Sequence, residues 1–209
     1  LLNSEQKVKS SGFLDPSKKL GKYLMDHVSL CNFFSMPNES NKIIEQKSLS
    51  GAGSFFIPFG TSLLPSNPKV DFIRGYGIWG AIDRLGIPRL MQKNTKESIG
   101  FLISHGEVLP MENNKVTLSS KTDEWGIPIP HIEFNWGENE YKMIDHMRLT
   151  MEKLISVADG KKINLKNALK IPFLDFIERN SIALSGDIPP PGYYIHEVGG
   201  APMGSNEDE

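Results

Sequence analysis

The chain has 209 residues, 39% of them hydrophobic, enough to bury a core in one large domain or two small ones. Its 23 lysines and arginines nearly balance 25 aspartates and glutamates, so no bulk field favours nucleic acid or an anionic membrane. A single cysteine, Cys31, excludes an intramolecular disulfide framework and a multi-cysteine metal site.

Residues 1–27 read as mostly polar loop ending in Leu20-Gly-Lys-Tyr-Leu-Met-Asp-His27, with no charged-then-apolar leader, so localisation stays open. The longest basic cluster, Lys18-Lys19 with Lys22, is too short to track phosphates. Runs at 28–34, 54–59, 70–74, 98–104, 107–109 and 116–118 carry strand composition, and Cys31 reads as a small buried residue in the first of them. In 131–136 the residues Ile132, Phe134 and Trp136 alternate, which predicts a half-buried strand. The period then changes. Met143, Met147, Met151, Leu154, Ile155 and Ala158 recur at helical spacing and predict a helix over 139–158, with Asn139 as N-cap and Asp159-Gly160 as stop. The methionine stripe reads as core packing. Residues 166–185 suggest a second helix, after Pro172. Strands early and helices late point to an α+β fold: a largely antiparallel sheet covered by helices. Pro189-Pro190-Pro191 then gives a stiff, extended segment leading to His196. No apolar run approaches the roughly 20 residues a spanning helix needs.

Gly75-Tyr-Gly-Ile-Trp-Gly80 matches the letters of a dinucleotide-binding loop but not its context. That loop opens a long helix, whereas Gly86 and Pro88 follow within about two turns. Gly51-Ala-Gly53 lacks the third glycine, because Phe56 stands there. The Gly-x-Ser-x-Gly elbow is absent. His196-Glu197 begins like a zinc-protease helix, but Gly200 occupies the place of the second histidine. His27, His105, His131 and His146 lack ligand spacing and read as surface or hydrogen-bonded histidines, so no metal is expected. His196, among glycines and prolines, is open to a structural or a catalytic reading, since an imidazole pKa near 6.5 suits a general base.

Tyr194-Ile-His-Glu-Val-Gly-Gly-Ala-Pro-Met-Gly204 resembles the His-x-x-Gly-Thr-x-x-Met-Gly signature of glucose–methanol–choline flavin oxidoreductases. Leu1-Leu-Asn-Ser4 is similar to the end of that family's FAD-binding section, and Leu20–His27 to its Gly-x-x-Leu-Met-Asp-His turn. Gly106-Glu-Val-Leu-Pro-Met-Glu-Asn-Asn-Lys-Val-Thr-Leu118 with Asp123-Glu-Trp-Gly-Ile-Pro128 resembles its Asn-Arg-Val-x-Leu … Asp-x-x-Gly-x-Pro hairpin. The segments occur in the family's order.

The resemblance implies an internal piece of such an enzyme, without the FAD-binding βαβ unit and without a second active-site His or Asn expected beyond Glu209. Residues 1–27 would close the FAD-binding portion, 28–188 form the substrate-binding domain, and 189–209 return towards the flavin domain. The implied reaction is oxidation of an alcohol, sugar or polyol. His196 would take the hydroxyl proton as hydride leaves for the flavin. Gly199 and Gly200 would leave room for the flat ring of FAD, and the sheet would wall the pocket. Trp79, Trp125 and Trp136 are expected as core residues. Gly200 stands where the family has threonine, so Gly200→Thr is expected to leave activity equal or higher. The implied partners are the small-molecule substrate and FAD, with no nucleic acid or membrane. Alone, this chain is expected to bind no FAD tightly and to turn nothing over. The alternative is a non-catalytic binding module that kept the sheet without a flavin domain.

Overall fold

In a computed structural model the described residues are 1–4, 17–37, 53–59, 70–83, 89–171 and 188–206. They form β1 (His27–Pro37), β2 (Ser54–Phe59), β3 (Tyr76–Ile82), β4 (Glu97–Glu107), β5 (Lys115–Thr122), β6 (Pro128–Glu133), α1 (Glu138–Val157), β7 (Lys161–Ile163) and α2 (Leu165–Ala168). The architecture is α+β, with antiparallel pairing between β2 and β3, β3 and β4, β1 and β7, and β5 and β6. Contacts divide the chain into two units. One comprises Leu1–His27, Glu107–Gly137 and Pro191–Glu209, the other Val28–Gly106 and Glu138–Pro190.

The second unit is a five-stranded sheet, ordered β2-β3-β4-β1-β7. β1 is buried on both faces. One face receives α1, where Met143, Met147 and Met151 are fully buried, as the methionine stripe predicts. Gly106 permits this approach, because a Cβ there would meet the Met143 sulfur, Met147 and Val28. Burying each methionine contributes about 1.5–3 kcal/mol. On the other face Cys31, Phe33 and Ile99 pack with Leu165 and Leu169. Burial pushes the Cys31 thiol up to about 12, so it stays protonated near neutral pH.

Several expectations change. The glycine-rich stretch from Tyr76 is strand β3, and its glycines make room for rings: a Cβ on Gly77 would enter the Phe56 ring, and one on Gly80 would crowd Phe55. That agrees with rejecting a phosphate loop. None of residues 70–74 is strand; 71–74 are bends, with Arg74 at φ +68°. Residues 108–109 lie past the end of β4. Asn139 is inside α1 rather than capping it, and its amide brackets Ile73, accepting from the Ile73 N–H at 2.9 Å and donating to its carbonyl at 3.3 Å. The stop at 159–160 holds: Asp159 at φ +52° allows Asp159 N–H to reach the Ser156 carbonyl and Gly160 N–H the Ile155 carbonyl. A short helix, α2, starts at Leu165, capped by the Asn164 side chain. The helix expected beyond Pro172 lies outside the described residues.

In the first unit, β5 and β6 form a two-stranded sheet of their own. The strand predicted over 131–136 holds only for 131–133, within β6, and it is not half-buried as expected, because Ile132 is exposed. Alternation reports burial only where another layer covers one face. Trp136 is buried as expected, whereas Trp125 at the hairpin turn and Trp79 on β3 are exposed, which corrects their core assignment.

Candidate active site

The first unit is built from segments far apart in sequence. Residues 21–25 run between the β5 region and the tail. On one side Val116 N–H donates to the Gly21 carbonyl at 2.7 Å and Leu24 N–H to the Asn114 carbonyl at 2.9 Å. On the other side Met25 and Val198 exchange both backbone bonds, at 2.8 and 3.0 Å. Gly200 N–H donates to the Lys22 carbonyl at 2.9 Å and Gly21 N–H to the Gly200 carbonyl at 2.5 Å. Asn114, buried, ties the hairpin's far end, donating to the Asn135 carbonyl and accepting from its N–H. Lys22 and Glu112 add an ion pair at 2.6 Å, which holds the Glu112 carboxyl below its usual range.

Asp26 ends this middle segment. Its carboxylate is buried and accepts from two backbone amides of the tail: Tyr194 N–H at 2.9 Å and His196 N–H at 3.1 Å. Between them Ile195 sits at φ +49°, a region a β-branched residue rarely enters. That left-handed residue turns the flanking N–H groups towards one side, the arrangement in which a main chain binds an anion. The His196 side chain is exposed, and its ring lies edge-on to that of His27, with centroids 5.1 Å apart. His196 is thus a solvent-accessible imidazole on a backbone held by a charged clamp. Such a group can accept a proton from a hydroxyl brought within hydrogen-bond reach.

The two glycines behave differently. Gly199 has φ +88°, and a Cβ there would overlap the Tyr23 carbonyl oxygen, so the space it leaves is taken by the chain itself. Gly200 has φ +72°, and a Cβ there would meet nothing within 4 Å. Among the described residues, open space therefore borders Gly200. The backbone sets a conformational cost against the expectation for Gly200→Thr, whose effect on activity is a separate matter. A β-branched residue at +72° is strained by about 1–2 kcal/mol.

Sequence reasoning named His196, Gly199 and Gly200 but missed Asp26, quoted only as part of a turn. Its signal is weak: an aspartate before a histidine is common, and its partners lie 168 and 170 residues away. His146 belongs to the second unit, where its Nδ1 lies 2.7 Å from the Tyr76 hydroxyl and its ring packs near Phe59 and Phe72. Desolvation lowers its pKa, partly opposed by Asp71. Among the described residues no group of three or more His, Cys, Asp or Glu could hold a metal ion, and no helix is long and apolar enough to cross a membrane. No family model matches the chain, and no curated protein matches it.

Proposed function

We propose that the chain is the substrate-binding portion of an FAD-dependent oxidoreductase of the glucose–methanol–choline type, acting on an alcohol, sugar or polyol with His196 as general base. One observation carries the reading. The segments that resemble this family, Leu20–His27, the hairpin region from Glu107 to Pro128 and the tail around His196, are spread over the sequence yet hydrogen-bond to one another in one unit. Resemblance by chance would not require them to meet.

His196 would accept the proton of the substrate hydroxyl, and its exposed ring is accessible for that task. Asp26 keeps the main chain beneath the ring in place, and Gly200 would border the cofactor. FAD, when bound, would supply the two-electron acceptor for the hydrogen leaving carbon. Most residues that hold it would come from sequence flanking this chain.

The test is the product of the complete open reading frame that encodes these residues. Purified without added cofactor, it should carry about one FAD per chain. An open reading frame confined to this chain, or a longer product that neither carries nor takes up flavin, would end the proposal.

A further inference from the structure

Two backbone amides on a single carboxylate are more than a chain crossing needs. The pairing of Met25 with Val198 already joins the two segments, and Gly200 extends it. Asp26 adds its bonds on the other side of that pairing, at Tyr194, two residues before the exposed imidazole, and at the imidazole's own residue. The conformation it fixes is unfavourable without it: left-handed Ile195 is disfavoured by about 1–2 kcal/mol, with its side chain exposed and no packing in return. A buried carboxylate facing two N–H donors is a strong counterweight, because hydrogen bonds to a charged acceptor contribute roughly twice what neutral ones do.

We propose that Asp26 is the positioning residue for His196: its carboxylate holds Tyr194–His196 in a strained turn that sets the imidazole against His27 and presents it to substrate. The idea rests on reading His196 as the base, but its geometry can be tested without turnover. Asp26 touches no reacting group and acts through the backbone alone. His27, the residue after Asp26, supplies the wall the ring rests on, so a single dipeptide fixes both the main chain and the ring of His196.

The experiment is nuclear magnetic resonance on the 209-residue chain, wild type, Asp26→Ala and Asp26→Asn, read at three places. In Asp26→Ala, amide-exchange protection at Tyr194 and His196 should fall about ten- to a hundredfold, and the ring-to-ring contact between His27 and His196 should vanish. Protection at Met25 and Val198 should stay, because their pairing does not involve the carboxylate. In Asp26→Asn, which keeps one acceptor oxygen, one of the two amides should remain protected. Unchanged protection and an unchanged ring contact in Asp26→Ala would overturn the proposal. So would loss of the Met25–Val198 pairing in both variants, since Asp26 would then serve folding in general. If the complete gene product carried no flavin, the catalytic reading would fall while the clamp measured here stood or fell by itself.

Discussion

Replacing Gly199 by alanine tests the tail's geometry at its tightest point. The added Cβ would overlap the Tyr23 carbonyl oxygen and lie 2.8 Å from its carbonyl carbon, so residues 23–24 or the tail must move. Forcing a side chain into the left-handed region costs about 1–2 kcal/mol. The displacement also weakens the two bonds between Met25 and Val198, at about 0.5–1.5 kcal/mol each, for a combined loss of about 2–5 kcal/mol. Gly200→Ala is the control. Its φ is also positive, but its Cβ would meet nothing within 4 Å among the described residues, so only the conformational cost of about 1–2 kcal/mol applies. Urea unfolding of the 209-residue variants, followed by tryptophan fluorescence and circular dichroism, measures both. Equal losses for the two variants, or none at Gly199, would refute the packing of the tail against Tyr23.

Two further predictions concern the second unit. Asn32 is fully buried in β1, and its side-chain amide finds no hydrogen-bond partner among the described residues. Asn32→Leu should therefore raise stability by about 1–3 kcal/mol, seen as a higher urea midpoint with an unchanged slope; a destabilised variant would mean that the amide is satisfied. His146 has its pKa lowered, chiefly by desolvation, so the unfolded chain binds its proton more readily than the folded one. Its contribution is present above the ordinary value of about 6.5 and is lost as pH falls below it. Unfolding midpoints across that range should decline on acidification, and more weakly in His146→Gln; equal slopes in the two proteins would contradict the sign.

The α+β class was legible because the two periods in the sequence each answer to a real layer. Met143, Met147 and Met151 face a sheet, and the residues of β1 are buried between two faces. β3 was hidden because Gly77 and Gly80 carry no strand propensity; their small size serves the rings of Phe56 and Phe55, which lie on a neighbouring strand. β7 has only three residues, too few for any period to register. The hairpin at 128–133 shows the opposite error: Ile132 alternates as a half-buried strand would, but no second layer among the described residues covers it. Of the site, the sequence pointed to His196 through a resemblance, and the clamp on Asp26 could not be read. Carboxylate-to-amide bonds across about 170 positions leave no local pattern, and the strain at Ile195 has no compositional mark.

The most direct test of the proposed function compares the complete gene product with its His196→Ala variant. Both are mixed without oxygen with a panel of alcohols, sugars and polyols, and flavin reduction is followed by absorbance. The account predicts that a substrate in the panel bleaches the wild-type flavin, and that the variant keeps its flavin but is reduced about 10²–10⁴-fold more slowly. A variant that reduces at the wild-type rate would contradict the assignment of His196 as the base.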